Sequence, residues 1–480
     1  MERTLPRPVF SKDFKPDIKD LTAGRYGTEE MINIWGPEAT IKISLLAQGQ
    51  AAITLHEFAP EIISTGEAEE IYKVATEGNI DPNRVRELEE KTGHDVIAIN
   101  LSLEEKLSEK AKSHVNKGRT SADTTQTARA IQFQYSLEEV AESVENLRDI
   151  IIEKSVDWKN IPHIDNTHLY DALPTVAGRP WTHYAEMLNS NLVRLRDVYD
   201  KSLVGKWADA TGNHHSVFSL GIDGIKLQEN YCNGFGLEYM IAPAQVPGLE
   251  FEADVFYMMA RIGETLNNIA KYMAWGKSDD VNIFKDINPK KRKGSSAMPH
   301  KDAKGGNPTV EEQIMSLRNY LQGNLMTALS NCEMPYARNL AASANGRINA
   351  EDGFKFLDHG IRRLASAVYW LDIDKDRAKE RLDRTYGITT SQEVMTYLTD
   401  PRKVEDPMPR SKAHDLMGNL ATKAYNERQQ FVEVLLECDE VTKNLDSQTI
   451  IEITDSSKYI GQSKEIIEAV REKFYKKETL

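Results

Sequence analysis

Four long apolar stripes at helical spacing narrow the folds open to this chain more than any other feature. Leu137, Val140, Val144, Leu147 and Ile151 step by 3, 4, 3 and 4. Val255, Met258, Ile262, Leu266, Ile269 and Met273 repeat at steps of 3 or 4, as do Ile314, Leu317, Leu321, Leu325 and Ala328, and Leu357, Ile361, Leu364, Val368 and Leu371. Such steps place every apolar residue on one side of an α-helix. A lone helix cannot bury that side, so the stripes imply a bundle of long helices within residues 137–371. Apolar surface left over on such a bundle is a natural seat for a second copy of the chain. Ser136 and Glu139 have the spacing of a capping box at the front of the first stripe. Period-2 runs and tight hairpin signals are scarce, so the expected fold class is all-α.

Composition then sets limits. The chain has 480 residues, 40% of them apolar, which is enough for sizeable cores and about three domains. Soft boundaries near residues 130 and 370 suggest an N-terminal helical domain (1–130), a central long-helix bundle (131–370) and a C-terminal helical domain (371–480). Lys plus Arg is 60 against 74 Asp plus Glu, a net charge of −14. That balance argues against nucleic-acid binding, which needs clustered cations, but leaves room for a local basic pocket for one small anion. Cys232, Cys332 and Cys438 are widely spaced and form no metal box, as expected of reduced thiols in a cytoplasmic protein. The first thirty residues carry Glu2, Arg3, Lys12, Asp13, Lys15 and Asp17 and no apolar signal core. No uncharged apolar run approaches the length of about 18 residues that a membrane helix needs, so no membrane partner is expected. There is no P-loop, and Gly234-Phe235-Gly236 lacks the third glycine of a dinucleotide fingerprint. His56-Glu57 lacks a zincin's second histidine. The neighbours His214 and His215 do not share a helix face and read as surface or loop residues.

Between two strong helical patterns lies a region dense in breakers, residues 286–308, with a basic run from Lys290 to Lys293. A loop of about twenty residues in that position is usually functional or disordered. It reads Gly294-Ser295-Ser296-Ala297-Met298-Pro299-His300-Lys301, then Asn307-Pro308, then Glu311-Glu312. Hydroxyls and backbone N–H groups on a glycine-rich loop can hold an oxyanion, and Lys301 can neutralise charge developing on a carboxylate substrate. The plainer alternative is a solvated Gly-Ser loop. The basic run is a short composition match to a nuclear-import signal, and an electropositive flank of a site is the preferred reading. Asp400 to Pro409 forms a second loop.

GSSAMPHK followed by NP resembles the signature of the fumarase/aspartase superfamily, whose members are α-helical tetramers that cleave C–N or C–O bonds by β-elimination and release fumarate. Other segments resemble the adenylosuccinate lyase family. These are Arg25-Tyr26 with Met31, Ile34 and Trp35; Thr92-Gly93-His94-Asp95-Val96; Thr120-Ser121-Ala122-Asp123; and Thr167-His168 with Val204-Gly205-Lys206 downstream. Gln245 and Asp254 keep the spacing at the start of the central helix, and Arg338, Ser343 and Arg347 keep offsets of five and nine. Asp383-Arg384-Thr385 extends the resemblance, which runs in order from about residue 24 to 390.

The resemblance implies a lyase without metal or organic cofactor, acting on a small nucleotide substrate, with each site built from three subunits of a homotetramer. It assigns the base to Ser295, with Ser296 as a neighbour that the sequence does not separate from it. It assigns the acid to His168, since imidazole titrates near neutrality. His94 would support the acid or orient substrate, and Asp95 would orient His94 or cap a helix. Thr120, Ser121, Gln245 and Asn307 would bond succinyl carboxylates or the leaving group. Arg25, Tyr26, Arg338, Ser343 and Arg347 would clamp a phosphate, because guanidinium forks match its oxygens. Four departures stand against the family pattern. Asp165-Asn166 precede Thr167-His168 where the family has Gly-Arg, and a rival Gly178-Arg179 with Thr182-His183 lies fifteen residues out of register. Pro335-Tyr336-Ala337-Arg338-Asn339 replaces a His-Glu-Arg-Asp segment. Five residues separate Lys301 from Asn307 where the family usually has one. Asn116 stands where a histidine precedes the Thr120-Ser121 motif. The alternatives are another fumarate-releasing C–N lyase with a different amine leaving group, or a non-catalytic helical scaffold.

Overall fold

A computed structural model describes residues 25–290, 294–334 and 337–475. The charged residues from Glu2 to Asp17, Lys291 to Lys293 of the basic run, and Pro335-Tyr336 lie outside the described residues. The fold is predominantly helical, with three two-stranded sheets among the described residues. The chain forms two compact units, one of Met1–Val144, Ser190–Asn267 and Gln313–Arg362, the other of Glu145–Asn189, Asn268–Glu312 and Arg363–Leu480. The four stripes fall on helices Ser121–Asp157, Glu250–Lys277, Thr309–Asn331 and Ser343–Tyr369, each of which contributes residues to both units. Their apolar positions are buried, apart from the half-buried Leu317 and Leu325. Leu371 lies past the last helix, in strand Leu371–Ile373, which pairs antiparallel with Phe284–Asp286.

In the first unit, the expected capping box at Ser136 and Glu139 is not formed. Helix Ser121–Asp157 runs through both residues without a break, and its 37 residues contain no glycine or proline. Ser136 Oγ instead accepts a hydrogen bond from Trp35 Nε1 at 2.8 Å. A buried indole needs an acceptor, and that tertiary requirement outweighs the local spacing. Trp35 stacks on Phe354 at 5.7 Å, with Phe133 at 5.9 Å. Asp358, buried on helix Ser343–Tyr369, accepts from Thr28 and Ser143 at 2.6 Å each and pairs with Arg362 at 2.9 Å. Those bonds tie the start of the described chain to two long helices.

The second unit holds a feature that the sequence did not announce. Pro162–Thr167 and Tyr170–Val176 form an antiparallel hairpin with an irregularity between Asp165 and Asn166. Its two turn residues, His168 and Leu169, both take positive φ (54° and 69°). This is the geometry that suits a two-residue hairpin, but Asn-Gly or Asp-Gly normally supplies it. Nearby, Trp181 meets Trp158, Tyr184, Tyr272 and Phe284 at centroid distances of 5.5–6.2 Å. Farther along the chain, Val394, Leu398, Phe431, Leu435, Val441 and Ile450 close a C-terminal helical core.

His163, on the first hairpin strand, is 2% exposed. Burial, reinforced by the charge of Arg381, lowers its pKa to about 4. The unfolded chain would protonate this ring near pH 6.5. Between about pH 6.5 and 4 the unfolded state therefore binds more protons, and stability falls as the pH falls. From pH 7 to 5 this one group should cost about 2 kcal/mol. His163→Gln should show a correspondingly smaller loss of unfolding free energy between those pH values, measured by denaturant titration.

Candidate active site

In the first unit the site residues are set by a buried ion pair. Asp123 and Lys206 both have side chains with no solvent exposure and are hydrogen-bonded to each other. Asp123 also accepts from Thr120 N at 2.8 Å and Ala208 N at 3.0 Å, while Lys206 Nζ donates to Asp209 O at 2.7 Å. Burial lowers the Lys206 pKa, and the charge of Asp123 opposes that shift. The pair joins two segments that the sequence set apart and fixes the turn carrying Thr120 and Ser121. Ser121 Oγ lies 3.3 Å from His94 Nε2, and His94 Nδ1 lies 3.2 Å from Asp95 Oδ1. Asp95 Oδ2 is 3.4 Å from Arg347 Nη2. Asp95 thus faces the ring of His94 and is the first residue of helix Asp95–Glu104, but it does not cap that helix: His94 holds the cap position, with no side-chain cap bond.

Arg347 and Ser343 lie in the first turns of helix Ser343–Tyr369. Arg338 Nη1 donates to Gln245 Oε1 at 3.2 Å, and Gln245 N donates to Ala337 O at 3.3 Å. Burial lowers the Arg338 pKa, and the charge of Arg347 lowers it further. Two guanidinium groups that repel each other form a place where an anion is welcome. Both line a cavity of about 470 Å3 together with Ser343, Asp95, Arg86 and Trp35. The structure therefore brings together His94, Asp95 and Ser121, and gathers Arg338, Ser343 and Arg347 at one cavity, with Gln245 bonded to Arg338 but not among the lining residues. Arg25 and Tyr26 are not among the cavity's lining residues: Arg25 is exposed, and Tyr26 packs edge-on to Phe356 at 5.9 Å and His359 at 5.7 Å.

One departure acquires a physical reason here, and one expectation is corrected. Asn116 has φ 56°, a conformation that asparagine tolerates better than most residues. Its Oδ1 accepts from Gln48, which also bonds Asn100 and Thr124. His214 is buried rather than a surface residue, packed so tightly on Gly224 that a Cβ there would sit 2.4 Å from its own; only His215 is exposed. Nothing in the residue types around them announces that these adjacent histidines part in this way.

In the second unit, Gly294 opens the signature loop. A Cβ on Gly294 would lie 2.7 Å from Gly306 Cα, so the two glycines allow the loop's ends to touch. Ser295 Oγ accepts from Met298 N at 3.1 Å and Ala297 N at 3.3 Å, whereas Ser296 is exposed. Residues Pro299–Lys304 coil into a 3-10 turn, and Lys301 Nζ donates to Asn307 Oδ1 at 2.7 Å. The five intervening residues are thus taken up in a turn and leave Lys301 and Asn307 in contact. Beneath the loop, Lys301 and Asn307 line a cavity of about 380 Å3 with His300, Lys277, Glu311 and Trp370. Glu311 is buried and paired with Lys277 at 2.6 Å. His168 stands exposed at the hairpin turn, beside Leu169 and Tyr170, which are 86% and 79% exposed. The rival His183 is exposed on helix Arg179–Lys201 and edges Tyr184 at 5.7 Å. Among the described residues, no group of three or more His, Cys, Asp and Glu is placed to hold a metal ion.

The Lyase family profile matches residues 24–321, more than half of the chain. The chain belongs to this lyase family, within the fumarase/aspartase superfamily. Residues 387–470 of the lyase match the adenylosuccinate lyase C-terminus. It is 27% identical to adenylosuccinate lyase of Methanocaldococcus jannaschii over 447 residues, covering 93% of this chain and 94% of the relative. It is also 27% identical to adenylosuccinate lyase of Streptococcus mutans, covering 93% and 98%. Among solved structures, fumarate lyase from Mesorhizobium sp. BNC1 superimposes with a TM-score of 0.78 at 19% identity, covering 93% of this chain and 98% of that one. The 3-carboxy-cis,cis-muconate lactonizing enzyme from Pseudomonas putida does so with 0.79 at 17%, covering 95% and 98%. These two likenesses show the lyase's fold.

In this lyase, the Asp123–Lys206 pair predicts an asymmetric response. Lys206→Met leaves a buried carboxylate alone and should cost about 3–5 kcal/mol of unfolding free energy. Adding Asp123→Leu removes that orphan charge and should recover part of the loss. Denaturant unfolding of both variants checks this; equal stability of Lys206→Met and the parent protein would mean that the pair is not held dry.

Proposed function

We propose that this fumarate-releasing C–N lyase is an adenylosuccinate lyase of purine biosynthesis. It splits adenylosuccinate into AMP and fumarate, and splits the succinyl-aminoimidazole-carboxamide ribotide into its carboxamide and fumarate. The paired guanidinium groups of Arg338 and Arg347 beside Ser343 at a cavity wall carry the reading. A succinyl amine without phosphate has no use for them. The match of residues 387–470 and the names of the relatives support the same substrate.

The reaction needs a base for the Cβ proton, an acid for the leaving nitrogen and a sink for charge on the substrate carboxylate. Ser295 is the base in this reading. Two backbone N–H groups already point at its Oγ, and such donors favour an alkoxide over the hydroxyl. Proton removal places charge on the adjacent carboxylate, which Lys301, Asn307 and loop amides offset. As the C–N bond breaks, its electron pair goes to nitrogen, and His168 supplies the proton. Ser121 and Thr120 bond a succinyl carboxylate, with His94 held in place by Asp95. Ser296 is the alternative base. The cavity with Arg338, Ser343 and Arg347 takes the nucleotide phosphate, and Arg25 and Tyr26 belong to the same clamp in the assembled enzyme.

The assembled enzyme is a cytoplasmic homotetramer in this proposal, with each site drawn from three copies of the chain. Supporting it are the family resemblance, the exposed apolar hairpin tip and the free cysteines. The proposed functional division is 1–130, 131–370 with the loop at 286–308, and 371–480.

Fumarate absorbance with adenylosuccinate and with a phosphate-free succinyl amine tests the reading. Ser295→Ala and His168→Ala should each lower kcat by roughly 10²–10⁴-fold with unchanged unfolding. A silent His168→Ala with a crippled His183→Ala would move the acid to the helix. Arg347→Ala should lower kcat/KM for adenylosuccinate roughly ten- to a hundredfold, the worth of one charge-assisted phosphate bond. It should change the phosphate-free substrate little. Equal losses on both would point to a lyase with a different amine leaving group.

A further inference from the structure

The Asp383-Arg384-Thr385 segment has no part in the mechanism above, yet it ends against the hairpin that carries His168. Arg384 lies at the C-terminal end of helix Lys375–Asp383. Its Nη2 and Nε donate to Asp171 Oδ2 at 2.7 and 3.0 Å. Arg381, one turn earlier, donates to Asp171 Oδ1 at 3.0 Å and to Asn166 Oδ1 at 3.4 Å. Asn166 Nδ2 closes the set with a 3.0 Å bond to Asp171 Oδ1. Arg381 is buried, its guanidinium 5.3 Å from the centroid of the Trp275 ring.

The place of this cluster on the hairpin gives it meaning. Asn166 and Asp171 are cross-strand partners, only one rung, Thr167 with Tyr170, below the His168-Leu169 turn. The ladder is irregular just beneath them, between Asp165 and Asn166. Above them, residues 167–170 are all exposed. Backbone pairing is therefore weakest where the imidazole's position is decided, and a three-residue charge cluster pins both strands at that rung.

We propose that Asp171, Arg381 and Arg384 form a positioning clamp that sets where His168 is presented to substrate. The inference rests on His168 being the general acid. None of the three touches the reacting atoms. They act through the hairpin, so their removal should slow the chemical step while leaving substrate affinity close to unchanged.

Full-length Arg384→Gln, Arg384→Lys and Asp171→Asn are assayed for kcat and KM on adenylosuccinate, each also combined with His168→Ala. Arg384→Gln and Asp171→Asn should lower kcat roughly 5- to 50-fold, somewhat below the hundredfold that a shift of about 1 Å can cost. KM should stay within about twofold, Arg384→Lys should recover part of the rate, and neither change should slow His168→Ala further. If His168→Ala is crippled while both clamp variants keep full kcat, the clamp is overturned and the acid assignment stands. If His168→Ala is itself fully active, the acid assignment fails and the clamp fails with it. Equal losses with and without His168 would show a general structural role and also overturn the clamp. Should Asp171→Asn fail to fold, the half-exposed Arg384 still decides the question through its two variants and the same double-mutant comparison.

Discussion

Burial of one apolar face on long, unbroken helices is the constraint from which the rest follows. A helix such as Ser121–Asp157 is a stiff rod, and chemistry placed along its buried side would cost core packing. Many of the candidate site residues instead lie where helices begin, while Ser295 and His168 lie in a loop and a hairpin turn. Thr120 and Ser121 start helix Ser121–Asp157, His94 and Asp95 start helix Asp95–Glu104, Asn307 precedes Thr309–Asn331, and Ser343 with Arg347 starts Ser343–Tyr369. A helix N-terminus offers unpaired N–H groups and the positive end of a dipole. Those are the attributes wanted by the carboxylates and phosphate of the proposed substrate.

Helix starts need to be held, and buried or half-buried carboxylates do much of the holding. Asp123 collects Lys206, Thr120 N and Ala208 N. Asp358 collects Thr28, Ser143 and Arg362. Asp171 collects Arg381, Arg384 and Asn166. Each joins segments far apart in sequence, and an unpaired charge in such a position would cost several kcal/mol. This explains why the motifs are short and scattered: each is one end of a contact whose other end lies elsewhere in the chain.

The departures from the family pattern mostly concern backbone shape. Asn116 suits a left-handed turn and a polar network around Gln48. The residues between Lys301 and Asn307 form a 3-10 turn that ends at two glycines with φ near 80–90°, so the insertion adds a loop without separating the two polar side chains. The hairpin turn is strained, since Leu169 has a bulky side chain at φ 69°. Strained conformations of that kind concentrate at functional sites.

The sequence by itself determined the helical class, because a 3.6-residue period can be satisfied by only one backbone geometry. It also determined the loop from Gly294 to Asn307, because glycines, hydroxyls and a lysine at fixed offsets carry both the shape and the chemistry. The pairing of Asp123 with Lys206 was half visible, as two separate motifs whose meeting no spacing could reveal. The tertiary structure alone decided that Ser136 serves Trp35 instead of a cap, because a buried indole must be bonded wherever the fold puts it. It alone decided the hairpin as well: His168-Leu169 carries no turn signal, and the strand residue Asp171 beneath it is bonded by Arg381 and Arg384, more than two hundred positions away.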